Sequence, residues 1–435
     1  MDSLQSIKTQ LINQINALQF DQNQKIAVCS AQVKCHMNVL GWLKAQQHYP
    51  QFYFKLQDTE RTFVGVGAVR TFTQLDAAQA FVNQYQLPLF GGMKFYGETY
   101  FFLPQILLEL DAQQLTATVF IDQADSANSQ LRALEGLKTF EKMTALLDVQ
   151  APLTLVNQQA DESLWCNWVT RALAEIRQKQ VSKLVLANAV TFSAPHRLNG
   201  KDFLAKSESY HTGCYHFLLA EDEQGCFLGS TPERLYARQA RQLNTEALAG
   251  TALVSDNPEH NRAQADWLLQ DEKNIYENQL VADGICTNLQ PFVDKISVGN
   301  VGLKPLRQVQ HLRREITALL KAECSDKDCL LAIHPTAAVA GLPQQKAEAL
   351  LRQIENYDRG WYAGTLGFFD HRQAEFCVTI RSAQLEENKI RIFAGAGIVE
   401  GSVPLLEWHE IERKAAGLIS LLQITESKNG EKKCQ

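Results

Sequence analysis

The sequence lacks any long apolar run, which excludes a helix that spans a bilayer. No stretch of the 435 residues approaches the roughly 18 to 20 consecutive apolar residues that such a helix needs. The first residues, Met-Asp-Ser-Leu-Gln, also lack the basic start and apolar core of a secretory signal. With 45% hydrophobic and 21% charged residues, the composition is that of an ordinary globular protein. We therefore predict a cytoplasmic protein.

An excess of positive charge is also missing. The 42 lysines and arginines are outnumbered by 48 acidic residues, so the net charge is −6 and the pI is about 6.0. Such a chain does not attract nucleic acid or an anionic membrane surface, and we predict neither as a partner. Any anionic ligand must then be bound by a few local cations.

The ten cysteines do not form a metal-binding pattern. Cys29 with Cys35, and Cys324 with Cys329, have the wrong spacings for a zinc site. Reduced, buried thiols are the expected state in a cytoplasmic protein. We find no internal repeat and no low-complexity tract in the sequence.

The length permits two or three average domains, although a large sheet protein can exceed that average as one unit. We predict that residues 1–155 are a scaffold part of the same fold as a catalytic region at residues 156–422, followed by a disordered tail at residues 423–435. The scaffold part reads as short strands around a helix from Leu75 to Tyr85, with a turn at Gly91-Gly92. It contains no evident chemical site.

The catalytic region begins with a helix whose apolar stripe includes Trp165 and Trp168, a spacing that favours core packing over a cofactor platform. A strand from Val181 to Val190 follows and contains Lys183 on a face with apolar neighbours. Lys183 is either a solvated residue at the strand's start or a desolvated lysine whose lowered pKa allows it to act as a base.

Glu233 follows Pro232 in a turn between two extended segments, and proline restricts the local backbone. Its carboxylate could pair with Arg234, or it could be a general acid kept apart from a base. Residues 245–252 read as a strand that ends in a small-residue bend at Gly250, where a ligand could approach the backbone.

Two helical carboxylates suit a hard metal ion. Glu277 lies on a helix predicted from Asn261 to Leu289, borders an apolar face and could be paired with Lys273. Glu410 lies on a C-terminal helix. Two carboxylates without a histidine or cysteine ligand favour Mg²⁺, which retains waters and shares a substrate oxygen.

The C-terminal residues read as an anion site. Residues 309–313 are a predicted turn into a helix, and residues 334–343 a proline-bounded loop. An alternating strand then ends at Arg381, whose guanidinium would share a face with small residues. Gly395 and Gly397 would follow a second strand and offer backbone amides to a carboxylate or phosphate. This glycine pair does not fit a dinucleotide fingerprint, because the next glycine is wrongly spaced and no βαβ unit surrounds it.

Nine motifs stand in the order and spacing of the chorismate-utilising enzymes, which the chain resembles over residues 160–422. The motifs are Lys183-Leu-Val-Leu-Ala, Gly229-Ser-Thr-Pro-Glu233-Arg, Glu246-Ala-Leu-Ala-Gly-Thr251, Val309-Gln-His-Leu, Pro335-Thr-Ala-Ala-Val-Ala-Gly-Leu-Pro343, Arg359-Gly-Trp-Tyr-Ala-Gly364, Thr379-Ile-Arg381, Phe393-Ala-Gly-Ala-Gly-Ile398, and Glu407-Trp-His-Glu410 with Lys414. Within this family, the chain is most similar to the isochorismate synthases of the menaquinone pathway.

The resemblance implies an α+β fold of two large antiparallel β-sheets packed as a sandwich, with helices outside, as in anthranilate synthase component I. It implies Mg²⁺-dependent conversion of chorismate to isochorismate by attack of water at C2 and loss of the C4 hydroxyl. Lys183 resembles the general base and Glu233 the general acid, while Glu277 and Glu410 match the Mg²⁺ ligands. The positions that match substrate-binding residues are Gly250, Thr251, Tyr362, Arg381, Gly395 and Lys414.

Other activities within the family remain open alternatives. Ammonia-using relatives lack a lysine at position 183, and some relatives have a nucleophilic lysine where this chain has Ala249, so water is the expected nucleophile and no glutaminase subunit is expected. Ala338 argues against the pyruvate loss of a salicylate synthase. Asn188 and Asn278 replace an arginine and a histidine that are common in relatives, and we expect them to adjust the surroundings of the site.

The alternative from another class is a non-catalytic chorismate-binding regulator, which would not need the base, the acid or the metal ligands. The sequence is compatible with a monomer or a homodimer.

Overall fold

The computed structural model describes residues 2–19, 25–307 and 309–422. The strands are β1 Ile26–Lys34, β2 Gln51–Lys55, β3 Thr62–Phe72, β4 Leu89–Met93, β5 Thr99–Asp111, β6 Gln114–Asp122, β7 Thr154–Gln158, β8 Lys183–Ser193, β9 Tyr215–Ala220, β10 Gly225–Thr231, β11 Arg234–Gln239, β12 Gln242–Leu253, β13 Val293–Val298, β14 Gly302–Pro305, β15 Val309–Leu320, β16 Gly341–Leu342, β17 Thr365–Phe369, β18 Gln373–Val378, β19 Ser382–Glu386 and β20 Lys389–Ile398. The helices are α1 Asp2–Ala17, α2 Val39–Ala45, α3 Leu75–Tyr85, α4 Ser126–Gly136, α5 Glu162–Arg177, α6 Gly200–Tyr210, α7 Pro258–Leu268, α8 Glu272–Leu289, α9 Asp326–Ile333, α10 Gln344–Ile354 and α11 Pro404–Ile419. Within these residues, no helix has the length and apolar character needed to cross a membrane.

The strands form an antiparallel network that divides into two branches at β5. One edge of β5 pairs with β3, while the other pairs with β4 at the start of β5 and with β6 at its end. From β5, one branch runs through β3, β2, β9, β10, β19 and β20 to β8, and the other through β4, β17, β18, β11 and β12 to β15. Strands before residue 155 therefore pair directly with strands after it.

Aromatic side chains fill the space between the two branches. The rings of Phe63 on β3 and Phe368 on β17 have centroids 4.4 Å apart, and those of Phe52 on β2 and Phe90 on β4 are 5.7 Å apart. Trp165 on α5 is also fully buried, as its helical spacing predicted. The prediction of an α+β fold with two packed antiparallel sheets is confirmed.

The predicted turn at Gly91-Gly92 is wrong, because both glycines lie within the central strand β4. A Cβ atom on Gly91 would lie 2.1 Å from the carbonyl oxygen of Tyr100, and one on Gly92 would lie 1.8 Å from that of Thr365. These glycines therefore serve close packing against the neighbouring strands β5 and β17 and not chain reversal.

Two further element predictions are wrong. The helix predicted for residues 261–289 is divided into α7 and α8, because the Asp271 side chain accepts a hydrogen bond from the Asn274 amide and caps a new helix. Residues 309–313, predicted as a turn into a helix, begin the long strand β15. That strand pairs with β12, β13 and β14, and such long-range pairing is not visible in a short segment.

Candidate active site

A cleft of about 1060 Å³, including its open mouth, lies between β12, β20, α8 and α11. It collects residues that are far apart in the sequence. The predicted site residues that line it are Glu233, Gly250, Thr251, Glu277, Tyr362, Arg381, Gly395, Glu410 and Lys414. The structure thus places nine of the ten predicted residues in one cleft, and the tenth, Lys183, contacts one of them.

Lys183 lies at the start of β8, and its side chain is only 1% exposed. Its Nζ atom is 2.9 Å from Oε1 of Glu277 on α8. Of the two interpretations from the sequence, the solvated lysine is wrong, since the side chain is buried. The proposed pairing of Glu277 with Lys273 is wrong, because Lys273 reaches Glu407 instead, at 3.4 Å. The buried ammonium group of Lys183 needs a carboxylate partner, here Glu277, to offset its lost hydration.

Gly397 leaves the space in which Lys183 and Glu277 meet. A Cβ atom at this position would lie 2.5 Å from Oε1 of Glu277 and 3.0 Å from Cε of Lys183. The prediction that Gly395 and Gly397 follow the second strand is wrong, since β20 continues to Ile398 and pairs with β8 throughout. The glycines therefore act within the strand by removing side chains from the floor of the cleft.

We predict that Gly397→Ala strongly reduces activity while the protein remains folded, because the new methyl group displaces the Lys183–Glu277 pair. The measurement is the steady-state rate together with a thermal unfolding curve. Gly417→Ala is the matched control: this position lies inside α11, nothing lies within 4 Å of the added Cβ, and alanine favours a helix. Equal activities of the two variants would contradict the assigned role of Gly397.

Glu233 is a buried carboxyl group, and it forms no ion pair within the part of the chain that the structure describes. Its side chain is buried between β10 and β11, its backbone amide donates to the Thr231 hydroxyl at 3.3 Å, and its backbone carbonyl accepts from the Val378 amide at 3.0 Å. Burial, with a further contribution from nearby Glu246, raises the pKa of Glu233 to about 8. The alternative pairing with Arg234 is wrong, because that guanidinium contacts Glu375. Glu233 can therefore hold a proton at neutral pH and donate it.

Arg381 offers a cation to the cleft, although not in the way the strand pattern predicted. Strand β18 ends at Val378, so the predicted strand ending at Arg381 is too long, and Arg381 adopts a left-handed backbone with φ of 51°. Its backbone carbonyl accepts a hydrogen bond from the Ser230 amide at 3.2 Å, which fixes this turn. Among the described residues, none accepts a hydrogen bond from its guanidinium. Burial lowers its pKa, yet arginine stays charged and available for an anion.

Lys414 is a second cation at the cleft, and its ammonium group already has partners within the protein. Its Nζ atom donates to the Gly395 carbonyl oxygen at 2.8 Å and lies 2.6 Å from Oε1 of Glu410. The ring of Tyr362 stacks on that of Phe393 at 5.0 Å, and together they form an aromatic wall beside these charges. A ring-shaped anion would find an apolar wall and two cations in one place.

Three carboxylates face the same part of the cleft, and each contacts a different lysine: Glu277 with Lys183, Glu407 with Lys273 and Glu410 with Lys414. The pKa of Glu407 is raised, first by burial and then by the charge of Glu410. Burial would also raise the pKa of Glu410, but Lys414 lowers it below its usual value. Carboxylate oxygens of this kind fit a hard cation such as Mg²⁺. Among the described residues, no three acidic, histidine or cysteine side chains already converge on one point.

His311 is a cleft residue that sequence reasoning missed. It lies on β15, and its Nδ1 atom is 2.9 Å from the Thr251 hydroxyl. Burial and the nearby charges of Arg381 and Lys414 lower its pKa to about 3, so the ring is neutral. Its motif was recognised, but residues 309–313 were expected to form a turn into a helix, and no strand pattern pointed this side chain at the cleft.

The two asparagines that depart from the family pattern both hold backbone groups near the site. Asn188 on β8 accepts a hydrogen bond from the Ala160 amide at 3.0 Å and donates one to its carbonyl at 2.8 Å. Asn278, fully buried beside Glu277, donates to the carbonyls of Ala247 and Leu312 at 3.0 and 3.1 Å. The bond to Ala247 ties α8 to β12, next to the irregular part of that strand that presents Gly250 and Thr251.

We predict that Asn278→Ala lowers the free energy of unfolding by about 1–3 kcal/mol, because buried carbonyl groups lose their donor. Denaturant unfolding of the purified variant measures this change. Gln279→Ala, one residue further along α8 with only an exposed bond to Asp283, is the matched control and should change stability little. A similar effect of both substitutions would contradict the role assigned to Asn278.

Known proteins resemble the chain over nearly its whole length. The family described as chorismate binding enzyme matches residues 92–423. A relative from Pasteurella multocida, named isochorismate synthase MenF, is 54% identical over 427 residues, which cover 97% of this chain and 99% of the relative. The solved structure of MenF from Escherichia coli, described as the menaquinone-specific isochorismate synthase, has a TM-score of 0.91 and 34% identity, covering 97% of this chain and 100% of that one.

A more distant structure supports the fold alone. Anthranilate synthase component I from Streptococcus pneumoniae has a TM-score of 0.60 at 21% identity, covering 92% of this chain and 94% of that one. The two-branched antiparallel architecture is therefore shared by proteins whose names give different reactions.

Proposed function

The chain belongs to the chorismate-binding enzyme family, and from that membership we propose that it is an isochorismate synthase. In this reaction, water adds at C2 of chorismate while the C4 hydroxyl leaves as water, so the product is an isomer of the substrate. The observation that carries the proposal is that the buried base candidate Lys183 lies beside the cleft that the protonated acid candidate Glu233 lines.

The two groups divide the proton transfers of the reaction. Lys183 in its neutral form takes a proton from the attacking water, and the Glu277 carboxylate holds its ammonium in place. Glu233 gives its proton to the departing hydroxyl, for which its raised pKa prepares it. The cleft thus separates a base from an acid, as displacement of one hydroxyl by another requires.

Arg381 and Lys414 are the proposed partners of the substrate carboxylates. Chorismate carries two carboxylates, and an arginine with free donors gives a strong charged hydrogen bond to such a group. The Arg381 guanidinium has no partner among the described residues. Lys414 must leave its contacts with Gly395 and Glu410 before it can bind a substrate carboxylate. We propose that Gly250, Thr251, Tyr362 and Gly395 complete the substrate site, since all line the same cleft.

We propose Mg²⁺ as the cofactor, with Glu277 and Glu410 as the residues that would hold it. The ion would supply positive charge for a substrate carboxylate. The support is the donor set, which consists of oxygen ligands in a cleft that also contains Glu407.

We predict that a chelator abolishes the conversion of chorismate and that added Mg²⁺ restores it. Without the ion, the cleft would lack the positive charge that the ion would supply to a substrate carboxylate. The measurement is the initial rate in chelator, in chelator saturated beforehand with Mg²⁺ as the control, and after re-addition of Mg²⁺. An unchanged rate in excess chelator would refute the metal requirement.

The proposed activity is tested by incubating the purified protein with chorismate and Mg²⁺ and separating the products by chromatography. Isochorismate as the product supports the proposal. Salicylate with pyruvate would instead identify a salicylate synthase, for which Ala338 in the cleft wall is unfavourable by family pattern. Tight binding of chorismate without turnover would indicate a regulator.

We propose that the product serves menaquinone biosynthesis, because the similar Escherichia coli protein is described as menaquinone-specific. The cytoplasmic location, the absence of a glutaminase subunit and the choice between monomer and homodimer remain predictions from the sequence. Deletion of the gene followed by measurement of menaquinone would test the pathway.

A further inference from the structure

Cys324 and Cys329 bring two thiols into contact outside the cleft. Their Sγ atoms are 3.7 Å apart, which is a van der Waals contact and not a bond, since a disulfide is about 2.05 Å long. Cys324 is partly exposed, whereas Cys329 is fully buried. Cys324 is therefore the more accessible of the two cysteines.

The contact arises from the local geometry at the start of α9. Ser325 caps this helix, and its side chain and that of Asp328 form a reciprocal capping box. Cys324 precedes the cap and Cys329 lies in the next turn, and residues at these two positions pack together in a hydrophobic staple. Here both members of the staple are cysteines, so a segment of six residues fixes the contact.

The pair differs from the other thiols of the molecule. Among the nine cysteines that the structure describes, these two alone have a sulfur–sulfur contact. A metal site is not supported, because no group of three histidine, cysteine or acidic side chains that could hold an ion occurs within the described residues. Chemistry between the two thiols themselves is what the geometry favours.

The two thiols are also unequal in their ionisation. The hydrogen bond between the two thiols lowers the pKa of Cys324 despite burial, while the same bond and burial raise the pKa of Cys329 well above its usual value. The thiolate is the reactive form of cysteine, so the accessible Cys324 is the better nucleophile for a first attack. The buried Cys329 reacts in a second step.

We propose that Cys324 and Cys329 are a reversible redox-modification site that forms an intramolecular disulfide with a low-molecular-weight disulfide as oxidant. Cys324 attacks the oxidant as a thiolate, forms a mixed disulfide and releases one thiolate. Cys329 then loses its proton and attacks the Cys324 sulfur, and the second thiolate leaves. The two cysteines together lose two electrons and two protons, and the oxidant becomes two thiols.

This inference goes beyond the proposed function and does not depend on it. Helix α9 leads through His334 to Ala338 and Val339, which line the cleft, so the modification would lie close to the active site along the chain. The thiols themselves are outside the cleft, and their chemistry can be measured without substrate.

The test uses the full-length, reduced protein incubated with oxidised glutathione, acid-quenched, alkylated and digested with trypsin for mass spectrometry. Cleavage after Lys327 separates the two cysteines, so the disulfide is expected as a linked pair of peptides that a thiol reductant releases. In Cys329→Ser, glutathione should remain attached to Cys324. Cys166→Ser, which removes a partly exposed cysteine without a sulfur neighbour, should behave as the wild type.

Two outcomes would overturn the proposal. One is full alkylation of both Cys324 and Cys329 in the wild type after the oxidant has reacted with other thiols. The other is a wild-type protein that retains glutathione on Cys324, which would show that Cys329 does not complete the exchange. The wild-type experiment alone decides between these results, so a variant that fails to fold leaves the test intact.

Discussion

Replacing Lys183 by alanine is expected to lower kcat by about 10²–10⁴-fold, the usual contribution of a general base. The structure gives the reason: Lys183 is buried beside the cleft and contacts the Glu277 carboxylate. Alanine removes the group that accepts a proton from the attacking water, and it also leaves Glu277 without its lysine partner. Steady-state rates with chorismate measure the loss of kcat. Calorimetry measures the affinity for chorismate, which should fall far less than kcat.

The control for this variant is Lys389→Ala, an exposed lysine at the start of β20 on the strand that pairs with β8. It should leave both the rate and the substrate affinity unchanged. Circular dichroism and a thermal unfolding curve separate lost chemistry from lost folding in Lys183→Ala. If the folded variant keeps a rate within a few-fold of the wild type, another group must be the base.

Periodicity and turn residues were sufficient to predict the elements that are held by local sequence. Helix α3 has the predicted bounds, from Leu75 to Tyr85, and the apolar stripe of α5 is buried as expected. The fold itself followed from the family motifs, not from any periodicity. The turn predicted at Gly91-Gly92 is wrong because the sequence does not show whether a glycine permits a turn or a close approach between strands. Only the neighbouring strands distinguish the two cases.

For the site, the residues could be identified from motifs but their pairing could not. Lys183 and Glu277 are on a strand and a helix that are distant in the sequence, and nothing local indicates that they meet. Proximity along the chain therefore favours Lys273 as the partner, although that lysine reaches Glu407. Arg381 was expected on a regular strand, yet its left-handed backbone turns it into the cleft, and a side-chain pattern does not report a backbone angle.

The charges of the cleft explain how an acidic protein can bind a dianion. Three carboxylates and three lysines neutralise one another there, and the Arg381 guanidinium is left in excess. A bound divalent cation would add positive charge without adding a side chain. Local arrangement, and not the net charge of −6, therefore sets the sign of the field that the substrate meets.

Replacing Glu233 by glutamine is expected to lower kcat by about 10²–10⁴-fold, because glutamine keeps the shape of the side chain but cannot give a proton to the departing hydroxyl. The pKa of Glu233, raised to about 8, also predicts a pH dependence. The group is protonated and active as an acid below pH 8 and loses its proton above it. The wild-type kcat/KM should therefore fall on the alkaline side, and this fall should disappear in Glu233→Gln.

The matched control is Glu386→Gln, which changes an exposed carboxylate at the end of β19 and should preserve both the rate and the pH profile. Initial rates across the pH range, with the fold checked at each end, give the comparison. A variant that keeps the alkaline fall would assign that titration to another group and remove Glu233 from the role of general acid.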